Sequence, residues 1–142
     1  GAGGLMAAVA VPVKEMNPKV RVIGAEPAHI ARYTESRRKG EPVTVPMGPT
    51  IADGLMITTT GSNTYPIIEA YVDETIPVED EFIARALKEI VLKAKVVVEP
   101  SAAIGVAAVL SGQVKVRPDE KVCFVLTGGN IDAEKLAQFI TA

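Results

Sequence analysis

The 142-residue sequence has few of the residues that build disulfides and metal centres. Its one cysteine, Cys123, cannot form an internal disulfide, and a single thiolate cannot build a zinc or iron–sulfur site. His29 is the only histidine, so the chain cannot supply a multi-histidine metal site. We expect Cys123 to lie in the core, within an apolar strand, and His29 to lie at the surface.

The sequence also lacks long apolar runs and any excess of basic residues. Fifteen Lys and Arg residues stand against seventeen Asp and Glu residues, which gives a formal net charge of −2. Nucleic acid is therefore not an expected partner, because no basic surplus exists to meet a phosphate backbone. The longest apolar runs fall well short of the ~20 residues that cross a bilayer, and no signal peptide is visible. We expect one cytoplasmic domain without a membrane partner.

Apolar periodicity and turn residues predict an α/β fold in which strands and helices alternate. Residues 20–25 and 122–126 are predicted to be buried strands of a parallel sheet. Pro12 is expected to kink or end a first helix that starts near Leu5. Further helices are predicted over residues 29–39, 65–72, 82–94, 102–110 and 133–140. Few strands are available, so the sheet is expected to be an incomplete part of an open, mostly parallel one.

Two glycine-rich segments carry the candidate chemistry. One opens the chain as Gly1-Ala2-Gly3-Gly4-Leu5 before a predicted helix, and the other, Thr127-Gly128-Gly129-Asn130, follows a predicted strand. A glycine-rich turn can cradle an anion at a helix N-terminus, and open α/β sheets bind ligands at the carboxyl ends of their strands. The opening segment has two interpretations, a flexible tag remnant or a chain that starts inside a ligand-binding loop.

The order of these motifs, with four others between them, resembles the fold-type II pyridoxal-phosphate enzymes. Within these enzymes, the sequence resembles specifically the serine/threonine dehydratase and serine racemase family. The matching segments run in family order over essentially the whole chain, which would correspond to about the C-terminal half of a family member. The four other segments are Val22-Ile23-Gly24-Ala25-Glu26-Pro27, Thr50-Ile51-Ala52-Asp53-Gly54, Asn63-Thr64-Tyr65-Pro66 and Val98-Glu99-Pro100-Ser101-Ala102.

The resemblance implies that residues 1–142 are the C-terminal, cofactor-cradling part of the large domain in a tryptophan-synthase-β-like fold. No lysine in this chain has the family context of the lysine that forms the Schiff base, so that residue is expected in a missing N-terminal half. The chain alone is therefore expected to be inactive. The resemblance also implies an amino-acid substrate and a homodimer.

The resemblance assigns roles around pyridoxal 5'-phosphate to particular residues. The opening segment would bind the phosphate, although Ala2 departs from the usual glycine, and Thr127 would meet the pyridine nitrogen. A hydroxyl does not hold that nitrogen protonated, which favours loss of a β-substituent over transamination. Alternatively, Thr127 is an ordinary strand-end turn residue. The full set of expected cofactor-binding residues is Gly1, Ala2, Gly3, Gly4, Leu5, Gly54, Glu99 and Thr127.

A cation site is a further implication of the resemblance. Glu26 and the backbone carbonyl of Ile30 match positions that bind a cation in family members, and oxygen ligands suit Mg²⁺ or Ca²⁺. Arg32 stands where the racemase-like pattern has a second carboxylate. Its guanidinium could replace the metal ion by pairing with Glu26, so both alternatives stay open.

The activity that the resemblance implies is deamination of serine- or threonine-type 2-amino-3-hydroxy acids to 2-oxo acids by β-elimination. Serine racemase is the nearest alternative, since both reactions begin by removal of the same α-proton. A non-catalytic ligand-binding domain is the alternative from another class.

Overall fold

Helices flank a two-stranded parallel sheet in residues 2–142, the part of the chain that the computed structural model describes. Short 3₁₀ turns lie at Ala28–Ile30 and Asp53–Leu55, and a π-helical segment, Ile90–Ala94, extends the fourth helix. The main elements are α1 (Gly4–Met16), β1 (Ile23–Pro27), α2 (Arg32–Lys39), α3 (Tyr65–Tyr71), β2 (Glu74–Val78), α4 (Asp80–Glu89), α5 (Pro100–Leu110) and α6 (Ala133–Thr141).

The two strands confirm the predicted parallel α/β arrangement. Ile23 of β1 pairs with Glu74 of β2, and the register continues to Pro27 opposite Val78. The α2 and α3 helices lie in the long crossover that parallel pairing requires. Gly24 lets α1 approach β1 closely, because a Cβ there would lie 2.4 Å from the sulfur of Met6.

The larger core lies between the sheet, α4 and α5. Ile83 and Leu87 of α4 and Ala103 and Ala107 of α5 are fully buried, and α4 packs chiefly on α5. Small alanine side chains on α5 let the two helices approach, so that the branched side chains of α4 fill the space between them. The apolar face of α4 therefore packs into this core.

A smaller core joins α1, α2 and α3. Ala10, Tyr33 and Ile68 are almost completely buried there, with Val22 and Val72 beside them. Because Ile68 and Tyr33 both reach the start of α1, this core also supports the glycine-rich segment described below.

Asp73, directly before β2, connects that strand to α1. Its carboxylate accepts hydrogen bonds from Lys14 Nζ at 2.9 Å and from the Val22 N–H at 2.7 Å. Burial raises the pKa of Asp73, but Lys14 and the Val22 N–H together bring the pKa below its ordinary value. The contribution of this contact to stability is therefore present above the ordinary carboxyl pKa and is lost as the pH falls through the lowered pKa.

The strand predictions were partly wrong. The first strand begins later than predicted and includes Glu26 and Pro27, and β2 was not predicted at all. Residues 122–126 form no strand, because no neighbouring strand within residues 2–142 provides a ladder for them. Cys123 in this segment is exposed, which contradicts its predicted place in the core.

Three helix predictions also need correction. Pro12 does not end α1, which continues to Met16; Pro12 lies on the exposed side of the helix. The helix predicted from residue 29 begins at Arg32, since a 3₁₀ turn over Ala28–Ile30 precedes it. His29 in that turn is exposed, as expected. The predicted helix 82–94 is α4 plus the π-helical segment, which ends where Lys95 adopts φ 61°.

Within the described residues, none of the helices combines the length and the apolar character that crossing a bilayer demands.

We expect Leu87→Ala to lower the free energy of unfolding by about 2 to 5 kcal/mol, because it leaves a cavity between α4 and α5. Leu92→Ala is the matched control, since Leu92 is 44% exposed and its truncation should change stability by less than about 1 kcal/mol. Urea unfolding followed by circular dichroism measures both values. Equal losses for the two variants would contradict this assignment of the core.

Candidate functional site

A groove of roughly 670 Å³ lies between α1, β1, α5 and the extended segment 122–127. Apolar side chains form most of its wall, including Val9, Val109 and Phe124. Gly3, Gly4, Leu5, Ser101 and Thr127 line it as well, and so do charged residues such as Arg21, Arg32 and Glu120. A largely apolar cleft with a few convergent polar groups is the usual form of a small-molecule site.

The glycine-rich segment forms the start of α1 and opens into this groove. Gly3 is buried and has φ 88°, a left-handed conformation that favours glycine. A Cβ on Gly3 would also lie 2.1 Å from the hydroxyl oxygen of Tyr33. The first N–H groups of a helix have no partner within the helix, and the helix dipole makes this end positive. No acidic side chain occupies the first turn of α1, so the end is suited to a ligand anion.

Glu99 attaches the second glycine-rich segment to the start of α5. Its carboxylate accepts the Asn130 N–H at 3.0 Å, and its own N–H donates to the Gly128 carbonyl at 3.0 Å. Gly128 must remain glycine for this contact, because a Cβ there would lie 2.5 Å from Glu99 Oε1. Glu99 therefore positions the turn that presents Thr127 to the groove.

Ser101 is a site residue that sequence reasoning missed. Its hydroxyl oxygen is buried and has no hydrogen-bond partner within residues 2–142, although the residue lines the groove. Gly54 packs directly against it, since a Cβ on Gly54 would lie 2.9 Å from Ser101 Oγ and 3.5 Å from Glu99 Oε1. The sequence signal is its place in the segment Val98-Glu99-Pro100-Ser101-Ala102, in which the resemblance assigns a cofactor role only to Glu99.

The structure brings together most of the predicted cofactor-binding residues. Gly3, Gly4, Leu5 and Thr127 line the groove. Gly54 and Glu99 lie directly behind Ser101, at its edge. Ala2 is exposed, and its carbonyl accepts hydrogen bonds from Tyr33 and Thr64. Gly1 lies outside the described residues. The role of each residue toward a cofactor stays a prediction.

The groove fits pyridoxal phosphate, the group that the resemblance implies. The N-terminus of α1 supplies backbone N–H donors for a phosphate. Gly3 at this position has no side chain, and Tyr33 already fills the space that a Cβ would need. The hydroxyls of Thr127 and Ser101 are available for the polar atoms of a ring, and the buried Ser101 Oγ lacks a partner among the described residues. An unpartnered buried hydroxyl is costly, so a polar ligand group beside it stabilises the site.

The residues predicted to bind a cation form a different arrangement. Glu26 is 3% exposed, and its carboxylate accepts the N–H groups of Tyr33 at 3.0 Å and Thr34 at 2.7 Å. Arg32, also 3% exposed, brings its guanidinium to 4.0 Å from Glu26, and Ile30 is fully buried beside them. Burial lowers the pKa of Arg32, and the Glu26 carboxylate opposes this shift.

This arrangement does not fit Mg²⁺ or Ca²⁺. The carboxylate of Glu26 already accepts three hydrogen bonds from the start of α2 and faces Arg32, whose positive charge repels a second cation. Within residues 2–142, no group of three or more His, Cys, Asp or Glu side chains is arranged to hold a metal ion.

We expect Gly3→Ala to destabilise the fold by about 2 to 4 kcal/mol, because it combines a left-handed backbone with a steric clash. Gly4→Ala is the matched control, since a Cβ on Gly4 would meet nothing within 4 Å. It should be neutral or slightly stabilising, as alanine favours a helix over glycine. Thermal unfolding of both variants measures the difference, and a Gly4→Ala loss as large as that of Gly3→Ala would contradict the geometry.

Known proteins resemble this chain over nearly all of its length. The L-threonine ammonia-lyase of Thermotoga maritima is 40% identical over 140 residues, which are 99% of this chain and 34% of the relative. Serine racemase of Bos taurus is 40% identical over 139 residues, covering 96% of this chain and 41% of the relative. The chain thus spans about a third to two-fifths of these relatives, less than the predicted half.

The fold is also that of solved structures. Maize serine racemase superposes with a TM-score of 0.88 at 37% identity, covering 99% of this chain and 44% of that one. The neighbours share the tryptophan-synthase-β-like fold, as predicted. The family model described as "Pyridoxal-phosphate dependent enzyme" matches residues 1–128. With nine-tenths of its length inside that match and a groove suited to the cofactor, the chain belongs to the pyridoxal-phosphate-dependent enzyme family.

Proposed function

We propose that residues 1–142 are the C-terminal, cofactor-cradling portion of a larger pyridoxal-phosphate-dependent ammonia-lyase, called the whole protein below. The whole protein deaminates serine- and threonine-type 2-amino-3-hydroxy acids to 2-oxo acids and ammonia. The observation that carries this proposal is the groove, in which the anion-binding start of α1 and Thr127 line the same cavity. The 40% identity to a threonine ammonia-lyase supports the choice of reaction.

The chain's own residues would hold the cofactor and restrict its chemistry. The backbone N–H groups at the start of α1 bind the phosphate, and Glu99 holds the turn that aims Thr127 at the ring nitrogen. Thr127 Oγ1 hydrogen-bonds that nitrogen without keeping it protonated, as a carboxylate would. When bound, the cofactor delocalises the electron pair left by removal of an α-proton. The weaker electron sink favours loss of a β-hydroxyl over transamination.

The proposal assigns the Schiff-base lysine to the part of the whole protein outside these residues. The exposed apolar groove wall supports this assignment, since Val122, Phe124 and Val125 are between 38% and 49% exposed. Apolar surface of this extent usually marks a contact with another segment or chain. The homodimer and the cytoplasmic location belong to the proposal as well, and rest on the family resemblance.

Serine racemase is the second candidate function. The identity to the bovine racemase equals that to the ammonia-lyase, and the maize racemase has the same fold over 99% of this chain. The groove residues serve both reactions, because each begins at the same α-carbon. The two functions differ in whether the β-hydroxyl leaves or a proton is added to the opposite face of the α-carbon.

The whole protein, purified with pyridoxal phosphate, should show the visible absorption of the bound cofactor and release ammonia from L-serine or L-threonine. Thr127→Ser keeps the hydroxyl and should retain activity within about threefold, whereas Thr127→Val should lose about tenfold or more. Ammonia release and D-serine formation are measured in parallel. The 142-residue chain alone should release no ammonia.

Each other outcome identifies a different function. Formation of D-serine faster than ammonia would establish the racemase. Cofactor absorption without either reaction would indicate a non-catalytic ligand-binding protein. A whole protein that neither absorbs in the visible range nor releases ammonia would exclude the proposal.

We also propose that the Arg32 guanidinium takes the place of the divalent cation. Extensive dialysis of the whole protein against EDTA should then change its activity by less than twofold. Its melting temperature should change by about 1 °C or less. The reason is that the buried charge of Glu26 is already balanced within the chain. Activity lost to EDTA and restored by Mg²⁺ or Ca²⁺, but not by Na⁺, would show that a metal site exists.

A further inference from the structure

The carbonyl group of Ala2 is held by two hydroxyl groups from other elements. Tyr33 Oη lies 2.6 Å from the Ala2 oxygen, and Thr64 Oγ1 lies 2.6 Å from the same oxygen. The two hydroxyl oxygens are 2.8 Å apart. Thr64 Oγ1 also lies 3.2 Å from the Gly61 carbonyl oxygen. Each hydroxyl carries one proton, so two protons serve these four oxygen–oxygen contacts. We call Tyr33 and Thr64 the carbonyl clamp.

The clamp sets the direction of the N–H group in the next residue. A trans peptide directs its C=O and its N–H to opposite sides. The Ala2 carbonyl points toward Tyr33 and Thr64, so the Gly3 N–H points away from them. Gly3 lines the groove, at the end where α1 begins. Fixing the Ala2 carbonyl thus directs the Gly3 N–H toward the part of the groove where the start of α1 can bind an anion.

The two clamp residues are themselves firmly held. Tyr33 is 1% exposed, and its backbone N–H donates to Glu26 Oε2 at 3.0 Å. Thr64 directly precedes α3, where a threonine commonly caps its helix. Within the described chain its hydroxyl makes no such capping bond and contacts Ala2 instead. Gly61 keeps this contact close, since a Cβ there would lie 2.7 Å from the Ala2 oxygen.

We propose that Tyr33 and Thr64 are positioning residues for the phosphate-binding start of α1. They hold the Ala2–Gly3 peptide in the orientation that presents the Gly3 N–H to a phosphate, and without them the peptide can rotate away. This inference rests on the proposed function, because it takes the anion to be the phosphate of pyridoxal phosphate.

The test compares two ligands that differ only by the phosphate. Dissociation constants of the whole protein for pyridoxal 5'-phosphate and for pyridoxal are measured by absorption titration. Tyr33→Phe removes the hydroxyl but keeps the buried ring. It should weaken pyridoxal 5'-phosphate binding by about tenfold and pyridoxal binding by less than twofold. A merely structural role would weaken both ligands equally.

Tyr71→Phe is the matched control. The Tyr71 hydroxyl also makes a hydrogen bond, to Glu15 Oε1 at 2.7 Å, but that contact is exposed and lies outside the groove. This variant should bind both ligands as the unaltered protein does.

Thr64→Val and Thr64→Ser provide a second pair that does not depend on the folding of Tyr33→Phe. The valine variant should show the phosphate-selective loss, and the serine variant should recover most of the affinity.

The outcomes separate this inference from the proposed function. If the unaltered protein binds pyridoxal 5'-phosphate and the ratio of the two constants is unchanged in Tyr33→Phe and Thr64→Val, the clamp has no positioning role. If the unaltered protein does not bind pyridoxal 5'-phosphate, the proposed function fails, and the inference fails with it. A phosphate-selective loss in either clamp variant, with an unchanged Tyr71→Phe protein, supports the inference.

Discussion

The buried carboxylate of Glu26 is the interaction on which the rest of the site depends. It lies in β1 and accepts the N–H groups of Tyr33 and Thr34 in the first turn of α2. Because these donors are the free N–H groups of a helix start, one carboxylate both stabilises α2 and sets its position against the sheet. Arg32, whose guanidinium lies 4.0 Å away, carries the opposite charge and so lowers the cost of burying this anion.

Tyr33 connects Glu26 to the groove. The same residue whose backbone is bound by Glu26 contacts Ala2 through its hydroxyl and fills the space where a Cβ of Gly3 would lie. The left-handed Gly3 then directs the chain into α1, whose positive end faces the cavity. One series of short polar contacts thus joins β1, α2 and the glycine-rich segment. Such a connected series holds the backbone N–H donors of that segment in a fixed orientation.

On the opposite side, the start of α5 performs the equivalent task for Thr127. Glu99 exchanges contacts with Gly128 and Asn130, and the closeness of those contacts explains why glycine occupies position 128. The starts of α1 and α5 therefore both line the groove. The apolar remainder of its wall is the surface that, in our proposal, another part of the whole protein covers.

The sequence by itself determined the chemistry of the site and the helices with a clear apolar stripe. Glycine-rich turns and a threonine after an apolar run carry their meaning locally, and the apolar period of α4 is visible within that single helix. Tertiary structure alone decided the rest. The segment 122–126 is apolar enough for a strand but has no ladder within residues 2–142, whereas β2, with Pro77 inside it, pairs at an edge where proline is tolerated. The contacts of Tyr33 with Ala2 and of Glu99 with Asn130 each join residues 31 positions apart. No local pattern encodes such a contact, because it exists only when packing of the core has brought the two segments together.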